Sequence, residues 1–242
     1  MTLEQLCSGR LRIVDLTYAL SDAVPHWPSD NYEPFKLQTI ATIEKDGWLS
    51  KAFFTPEHLG THMDAPNHYE KNQPAVHEVK PENLFAPGVV IDVAAAAEAD
   101  ADYRLTADEI ARWEQQHGAI PQGAVVLLHT GWGRHWKTSP RYLNQDVMGQ
   151  MHFPGFSAEA ARLLIGERKA KGLGIDTLSI DYGLSRDFAV HHVVNGAGCY
   201  GLENLANLDQ LPPRGFYLTI APIKIEKGSG GPTRVFAVSG QN

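Results

Sequence analysis

Residues 57–68 read Glu57-His58-Leu59-Gly60-Thr61-His62-Met63-Asp64-Ala65-Pro66-Asn67-His68. The histidines and the aspartate at positions 58, 62, 64 and 68 are ligand types that divalent metals of intermediate hardness select. All four positions are even-numbered, so an extended backbone would project their side chains from one face. A helix would also bring His58 and His62 together, but Gly60 and Pro66 disfavour a helix here. We therefore predict a strand end that runs into a loop, with these side chains converging on a metal.

The pattern His-x-Gly-Thr-His-x-Asp-Ala-Pro-x-His resembles the motif of the metal-dependent cyclase superfamily, which includes bacterial kynurenine formamidase and isatin hydrolase. Eleven histidines in 242 residues make chance pairs common, but a motif of this length is specific. The resemblance implies an α/β fold of the swivelling β/β/α type, with a central barrel-like mixed sheet and surrounding helices. We expect one such domain over residues 1–242.

The resemblance also implies roles for the four motif residues. His58 and His62 match the histidines that bind the first metal, and Asp64 matches a carboxylate that bridges two metals. His68 matches the histidine assigned as the catalytic acid or base. A bridging carboxylate can hold two metals ~3.5–4 Å apart around one water, which suits hydrolysis.

A second candidate cluster follows more than a hundred residues later, with the pair His191-His192 and then Glu203. From the residues alone, a solvated loop is the commoner explanation of such a pair. The resemblance implies instead that His191 and Glu203 bind a second metal, with His192 as a neighbour. Residues 176–181 and 228–234 resemble the isatin hydrolase branch, which is expected to use one manganese rather than two zincs. The expected cofactor is therefore Zn²⁺ or Mn²⁺, with one or two ions per chain.

Composition bounds the class of protein. Apolar residues make up 43% of the chain and charged residues 20%, as is ordinary for a globular protein. The net charge of −7 argues against a nucleic-acid or anionic-membrane partner. Cys7 and Cys199 lie far apart and indicate neither a disulfide framework nor a thiolate metal site. With no signal peptide and no run of ~18 apolar residues, we expect a cytoplasmic protein.

Hydrophobic patterning predicts alternating helices and strands, which indicates an α/β architecture. One helix is predicted at residues 106–117, with Thr106 and Glu109 as a capping box, and a second at residues 157–171. Residues 94–101 fit a loop or a helical turn. Strands are predicted at residues 12–17, 36–42, 48–55, 89–93, 124–129, 174–181, 216–225 and 234–238, with a flexible turn at residues 228–232.

Two long loops contain aromatic residues. Residues 21–34 can only be loop, and Trp27 lies there between prolines. Such a tryptophan either packs the loop against the core or contacts a substrate, and the resemblance favours substrate contact. Residues 131–154 are predicted as a long excursion, which is often functional in a compact domain. Further candidates for the wall of a site are Phe53, Phe54, Trp132 and Phe153.

The predicted function is hydrolysis of a small amide, an isatin-like cyclic amide or an N-formyl aryl compound. Metal-activated water would attack the carbonyl carbon, with His68 as general acid and base. Alternatives are a lactone hydrolase or a cyclase-dehydratase on the same metal site, or a non-catalytic metal-dependent binding protein. The expected partners are a small-molecule substrate and further copies of the chain, in a homodimer or a homotetramer.

Overall fold

The computed structural model describes residue 5 and residues 8–240, so Cys7 lies outside the described residues. Its strands, in chain order, are β1 (Leu11–Asp15), β2 (Lys36–Ala41), β3 (Ser50–Phe54), β4 (His62–Asp64), β5 (Phe85–Asp92), β6 (Arg104–Leu105), β7 (Val125–His129), β8 (Gly155–Phe156), β9 (Gly172–Ile175), β10 (Tyr200–Glu203), β11 (Phe216–Pro222) and β12 (Gly230–Gly240).

The helices lie between these strands. They are α1 (Ile43–Asp46), α2 (Ala94–Ala99), α3 (Ala107–His117), α4 (Ser139–Leu143), α5 (Ala158–Arg162) and α6 (Ala189–Gly196). A π-helical turn, Leu163–Glu167, continues α5. Short 3-10 helices occur at Val76–Glu78, Pro81–Asn83, Trp132–His135 and Leu208–Gln210. Within the described part of the chain, no helix has the length and apolar character needed to cross a membrane.

Eight strands form the main sheet in the order β1-β12-β11-β5-β7-β9-β10-β4, and β4 also pairs with β12. This additional pairing closes seven strands into a ring. Strand β1 lies outside the ring and pairs with the C-terminal half of β12, whereas β4 pairs with its first residues. The four strands β5, β7, β9 and β10 pair in parallel, and the remaining pairs are antiparallel. The predicted barrel-like mixed sheet with surrounding helices is confirmed. The single domain over residues 1–242 stays a prediction.

Side chains alternate between two cores along the strands. Val125 and Leu127 of β7 point into the ring, where Met63 and Leu202 also lie. Val126 and Leu128 point outward into a second core beneath helices α3, α5 and α6. The nearly continuous apolar run at residues 124–129 therefore belongs to a strand covered on both faces, as predicted.

The predicted flexible turn at residues 228–232 is wrong in its second half, because β12 begins at Gly230. Its first residues pair with β4, opposite Asp64, Met63 and His62. A Cβ on Gly230 would lie 2.4 Å from Met63 O and 2.5 Å from Cε1 of His58. Glycine is required here for close approach of two strands rather than for flexibility.

The predicted strand at residues 174–181 is also displaced, because β9 ends at Ile175 and the chain then leaves the sheet. Thr130 donates two hydrogen bonds to Asp176 Oδ1, from N at 2.9 Å and from Oγ1 at 2.6 Å. Thr177 Oγ1 donates to Ser179 O at 2.9 Å. Such bonds compete with a strand ladder, and they turn this segment toward the carboxyl edge of the sheet.

Other boundaries differ by a few residues. The helix predicted to end at Lys171 stops earlier, since Lys169 adopts a left-handed φ of 57°. The strand predicted to reach Ile225 ends at Pro222, which has no N–H to donate. Residues 94–99 form helix α2, and residues 21–34 contain neither helix nor strand.

The strands predicted at residues 36–42 and 48–55 are confirmed, and they form a hairpin. Strands β2 and β3 pair antiparallel in a two-stranded sheet of their own, with α1 near the tip. The Thr42 side chain accepts a hydrogen bond from Lys45 N and begins α1, and Gly47 ends it with a φ of 78°. Along the chain, the hairpin lies between the loop that carries Trp27 and the motif residue His58.

The predicted capping box of α3 is present and generates a stability prediction. Thr106 Oγ1 accepts a hydrogen bond from Glu109 N, and Glu109 Oε2 accepts one from Thr106 N. Replacing Thr106 by Ala should lower the free energy of unfolding by about 0.5–2 kcal/mol, measured by urea denaturation. Thr138→Ala is the control, because Thr138 begins α4 without a side-chain cap bond. Equal losses in both variants would contradict a capping role.

Candidate metal centre

Strand pairing brings the two halves of the candidate site together. In the antiparallel pair β4–β10, Glu203 lies opposite His62, and Gly201 lies opposite Asp64. Because Met63 points into the ring, His62 and Asp64 on either side of it point outward. A Cβ on Gly201 would lie 3.0 Å from Asp64 Oδ2, so glycine leaves room for this carboxylate.

Helix α6 supplies the fifth predicted ligand, His191. The alternative of a solvated loop around His191 and His192 is wrong, because His191 is buried on α6. His192 points away, and its Nδ1 contacts Glu70 Oε1 at 2.8 Å. The sequence analysis missed α6 because the helix is short, and Val190 and Val194 are its few core contacts.

Two imidazole nitrogens face a pair of carboxylates. His62 Nε2 lies 3.2 Å from Asp64 Oδ1 and 3.4 Å from Glu203 Oε2. His191 Nε2 lies 3.3 Å from Asp64 Oδ2 and 3.2 Å from Glu203 Oε1. All four side chains are buried. Nitrogen and oxygen donors from four side chains therefore converge on one small volume.

The remaining motif histidines extend this cluster toward the surface. His58 Nδ1 lies 2.6 Å from Asp64 Oδ1, and His58 Nε2 lies 2.8 Å from Ser229 Oγ. The His68 ring stacks on the His58 ring, with centroids 3.8 Å apart, and lies 5.8 Å from the His191 ring. One nitrogen or oxygen atom from each of His58, Asp64 and His68 lies within 4.8 Å of the others. Asp64 thus belongs to two overlapping donor groups.

The outer nitrogens of the two buried histidines are held by the protein. His62 Nδ1 lies 2.8 Å from Gly60 O, and His191 Nδ1 lies 2.7 Å from Asp181 Oδ2. Asp181 also accepts hydrogen bonds from the N–H groups of Val190 and His191, so it caps α6. A hydrogen bond to one ring nitrogen orients the other ring nitrogen toward the metal, as in most protein metal sites.

Glu203 and its neighbour are also held in place. Glu203 Oε1 accepts a hydrogen bond from Ile180 N at 2.9 Å. Asn204 adopts a left-handed φ of 55°, and its Nδ2 donates to Gly60 O at 2.9 Å. Tyr142 donates to Asn204 Oδ1 at 2.8 Å from the excursion at residues 131–154. This network joins β10 to the loop before His62 and limits movement of both.

The charges in the cluster are strongly coupled. Burial opposes protonation of His62, but the carboxylates of Asp64 and Glu203 raise its pKa to about 10. Burial also opposes the charged form of His191, yet Asp181, Asp64 and Glu203 raise its pKa well above the ordinary value. The imidazoles outweigh burial at Asp64 and hold its pKa well below the ordinary value. Protons on the imidazoles therefore balance the buried carboxylates, and a divalent cation can replace them.

The environment of the Asp64 carboxylate is a second observation that fits a metal ion in this cluster. Asp64 Oδ2 is buried, and among the described residues no donor makes a well-aligned hydrogen bond to it, although His191 Nε2 lies 3.3 Å away. An unpaired buried carboxylate oxygen is costly unless an ion or a proton satisfies it. The set of histidine nitrogens and carboxylate oxygens suits Zn²⁺ or Mn²⁺. The cluster can therefore hold a metal.

A cavity of about 200 Å³ opens onto the cluster. Trp27 lines it, together with three aromatic residues that the sequence patterns did not indicate, Tyr32, Tyr69 and Phe188. Tyr69 lies 4.5 Å from the His191 ring and 5.2 Å from the Phe188 ring, whose centroid is 6.0 Å from that of Trp27. These rings form one wall beside the candidate ligands.

Four other aromatic residues suggested for this wall lie elsewhere. Phe53 and Phe54 are exposed on the hairpin, because neither faces the ring core or the cavity. Trp132 and Phe153 are buried in a separate hydrophobic cluster. Trp27 packs against this cluster. Aromatic content alone does not separate core, cavity and surface positions.

Phe188 has a strained backbone conformation of the kind that is often found at functional sites. It begins α6 in the left-handed region, with φ 47° and ψ 42°, which is strained for a bulky residue. Ser185 Oγ, which itself donates to Asp181 Oδ1, accepts a hydrogen bond from Phe188 N. The bonds that cap α6 therefore also hold the Phe188 ring over the cavity.

The fold and the donor cluster together define a class of metal-binding barrel, and comparison with known proteins gives its family. The family model named Cyclase matches residues 14–182, more than half of the chain. The chain therefore belongs to the cyclase family.

Individual relatives show which members of the cyclase family the chain resembles. The chain is 34% identical to an isatin hydrolase of Roseibium aggregatum, over 97% of this chain and 94% of that protein. It is 25% identical to a kynurenine formamidase of Bacillus cytotoxicus, over 91% and 94% of the two chains. The structure of isatin hydrolase A from Ralstonia solanacearum superposes with a TM-score of 0.93 at 40% identity, covering 98% of this chain and 95% of that one. These likenesses confirm the predicted superfamily and the predicted class, a metal-dependent hydrolase.

The Asp181 contact generates a prediction about metal affinity. Asp181→Asn should weaken binding of Zn²⁺ or Mn²⁺ by roughly 10- to 100-fold, because His191 loses the charged partner that orients it. Calorimetric titration of the chelator-treated protein measures this affinity. Asp187→Asn is the control, because the Asp187 carboxylate is exposed and its side-chain contact with Ser185 Oγ is long, at 3.4 Å. Unchanged affinity in the Asp181 variant would show that Asp181 only caps α6.

Proposed function

We propose that the protein hydrolyses a small cyclic amide of the isatin type, with N-formyl aryl amides as the second candidate substrate class. The observation that carries this proposal is a donor cluster beside an aromatic-walled cavity, in a chain similar to isatin hydrolases over nearly its whole length. One solved relative is an isatin hydrolase bound to the product analogue thioisatinate, with a TM-score of 0.93 at 32% identity. The lower identity to kynurenine formamidases supports N-formyl amides as the second class rather than the first.

We assign metal binding to His58, His62, Asp64, His191 and Glu203. The contacts around Asp64 support two adjacent positions, one beside His58 and Asp64 and one among His62, His191 and Glu203. Zn²⁺ and Mn²⁺ are the proposed ions. The buried group of four donors is the better enclosed, so it would fill first.

A divalent ion held there supplies Lewis acidity and lowers the pKa of a neighbouring water from about 15.7 toward about 7. His68 moves the protons. Burial lowers the pKa of His68 to about 4, so the ring is neutral at neutral pH and can accept a proton from water. The His68 ring stacks on the His58 ring and lines the cavity, so a substrate in the cavity would lie beside it.

The proposed reaction breaks one bond, the C–N bond of the lactam. Water adds to the lactam carbonyl carbon and gives one proton to His68. The C–N bond then breaks, His68 passes this proton to the nitrogen, and the new carboxylic acid releases the second proton of the water to solvent. The product carries a new carboxylate and a free aryl amine on one molecule. Trp27, Tyr69 and Phe188 would hold the flat ring and exclude bulk water from the reacting carbonyl.

Ser179 would orient the substrate in the same cavity. The residue is buried and lines the cavity, and its Oγ accepts a hydrogen bond from Asp181 N at 3.2 Å. Among the described residues none accepts the Ser179 hydroxyl proton, so this proton can be donated to a carbonyl oxygen of the substrate. A donor placed there would stabilise negative charge that develops during attack.

Product analysis with three substrates tests the proposal. Isatin, an N-formyl arylamine and an aromatic lactone should be incubated with the metal-loaded enzyme, and products identified by mass spectrometry. Isatin should turn over with the highest kcat/KM and give the ring-opened amino acid. Preference for the lactone by tenfold or more would contradict the proposal and favour a lactonase. No turnover of any substrate at full metal loading would favour a binding protein.

Removing His68 should separate catalysis from metal binding. His68→Ala should lower kcat by roughly 10²- to 10⁴-fold, the range for loss of a general acid–base group. Metal content, measured by elemental analysis, should stay near that of the wild type. His117→Ala at the end of α3 should leave kcat unchanged, because His117 does not line the cavity. Full turnover in the His68 variant would remove its assigned role.

Removing Trp27 should act on substrate binding. Trp27→Ala should raise KM roughly tenfold, equivalent to about 1.4 kcal/mol, with a smaller change in kcat. The physical reason is lost ring contact, since Trp27 touches the wall rather than the donor cluster. Steady-state kinetics at constant metal loading measure both constants. An unchanged KM would show that Trp27 only packs the loop at residues 21–34.

A further inference from the structure

The glycine-rich segment at residues 228–230 is held in place where it passes the candidate metal centre. Val76 N donates a hydrogen bond to Gly228 O, and Ala65 N donates one to Ser229 O, each at 2.9 Å. The next residue begins β12 and pairs with β4. The backbone is therefore fixed on both sides of Ser229, and this fixes the position of its hydroxyl group.

The Ser229 hydroxyl group joins a carboxylate to a motif histidine. Ser229 Oγ donates a hydrogen bond to Glu57 Oε2 at 2.7 Å, and Ser229 N donates one to the same oxygen at 2.9 Å. His58 Nε2 lies 2.8 Å from Ser229 Oγ, and the other ring nitrogen of His58 lies 2.6 Å from Asp64 Oδ1. A chain of three short contacts therefore runs from Glu57 to the Asp64 carboxylate.

Two glycines leave room for this chain of contacts. A Cβ on Gly228 would lie 2.8 Å from Glu57 Oε1, and a Cβ on Gly230 would lie 2.5 Å from Cε1 of His58. Neither glycine has a positive φ, so close packing rather than backbone conformation requires them. The two glycines therefore let Ser229 lie between a carboxylate and an imidazole.

The direction of each hydrogen bond follows from the chemistry of the three groups. A carboxylate oxygen can only accept, so the single hydroxyl proton of Ser229 is directed at Glu57. The Ser229 oxygen must then accept from His58, which requires a proton on His58 Nε2. A neutral imidazole with its proton on Nε2 presents an unprotonated Nδ1. Nδ1 is the atom that lies beside Asp64 Oδ1.

From these contacts we infer that Ser229 and Glu57 are positioning residues that make Nδ1 of His58 the atom offered to a metal. A serine hydroxyl group alone cannot impose one tautomer on an imidazole, because it can either donate or accept. Glu57 removes this choice by accepting the hydroxyl proton. The inference rests on the metal site proposed at His58, but neither Glu57 nor Ser229 lines the cavity, so neither would touch the substrate.

His58 thereby differs from the two buried histidines. His62 and His191 are each held at Nδ1, one by a backbone carbonyl and the other by a carboxylate, and both present Nε2 to the cluster. A carbonyl or a carboxylate oxygen can only accept a hydrogen bond, so it fixes the tautomer without a further group. His58 is held at Nε2 by a hydroxyl group, so the arrangement needs Glu57 as a third member.

Nuclear magnetic resonance of the full chain labelled with ¹⁵N-histidine tests the inference with no substrate present. In the Zn²⁺-loaded wild type, His58 should carry a slowly exchanging proton on Nε2 and bind Zn²⁺ through Nδ1. The His58→Gln variant assigns the signals by their loss. In Ser229→Ala the Nε2 proton should exchange rapidly with water, because its acceptor is gone. A role in stability alone would leave these signals as they are in the wild type.

Zinc affinity provides the second readout. Ser229→Ala and Glu57→Ala should each weaken Zn²⁺ binding at His58 by roughly 10- to 100-fold in calorimetric titration of the chelator-treated protein. Glu57→Gln should recover most of this loss, because its amide oxygen can still accept the Ser229 proton. The Glu57 variants keep the test available if Ser229→Ala fails to fold.

The same segment offers a matched control. The Thr233 hydroxyl group donates to Gly231 O at 2.8 Å, and it takes no part in the contacts of His58. Thr233→Val removes this hydroxyl group with little change of shape. The Zn²⁺ affinity and the His58 signals of this variant should match those of the wild type.

The outcomes separate this inference from the proposed function. Zn²⁺ bound through Nε2 of His58 would overturn the inference alone, as would wild-type affinity in both alanine variants. Zn²⁺ bound through Nδ1 without turnover of isatin would support the inference and contradict the proposed function. A wild type that binds no Zn²⁺ would overturn both.

Discussion

The burial of Asp64 and Glu203 side by side is the constraint on which the rest of the structure depends. Two carboxylates removed from water repel each other and lose their hydration, so they require positive charge at close range. The Nε2 atoms of His62 and His191 lie between 3.2 and 3.4 Å from them and provide that charge when protonated. A divalent cation provides it while leaving both imidazoles neutral. The cluster is therefore built for a positive ion.

The fold supplies this arrangement through strand pairing. Strand β4 lies between β10 and β12, and its alternation turns Met63 inward and the two ligand side chains outward. Because Gly201 and Gly230 have no Cβ, the strands can approach without displacing Asp64 or His58. Helix α6 then covers the outward face and brings His191 with it. The rigid closed ring fixes the donors, and the loops that leave its edge provide the aromatic wall.

Local spacing was sufficient to predict part of this site. His58, His62, Asp64 and His68 lie within eleven residues, and their alternation and turn residues indicated a cluster before any tertiary contact was known. Glu203 and His191 depend on long-range pairing and on a short helix, so residue patterns alone left them ambiguous and only the family resemblance favoured them. The structure brings all of these side chains together, although their roles as ligands and as acid–base group stay predictions.

Other features had no local signal. Phe188 lines the cavity because a left-handed backbone residue turns its ring, which composition does not reveal. Phe53 and Phe54 were suggested for the same wall, yet they lie exposed on β3, because a hairpin can leave the sheet that its sequence resembles. The strand predicted at residues 174–181 ends early, since Asp176 and Thr177 bond to nearby backbone and side-chain groups instead of a neighbouring strand. Hydrophobic pattern found the elements, and side-chain hydrogen bonding set their ends.

Elemental analysis of the purified protein, after chelation and reconstitution with Zn²⁺ or Mn²⁺, tests the central claim most directly. The wild type should retain one or two ions per chain, and Asp64→Ala should lose them while its circular dichroism stays that of a folded protein. Two ions would support both donor groups, and one ion would support the buried group alone. A wild type that binds no metal, or an Asp64 variant that retains the full content, would contradict the account.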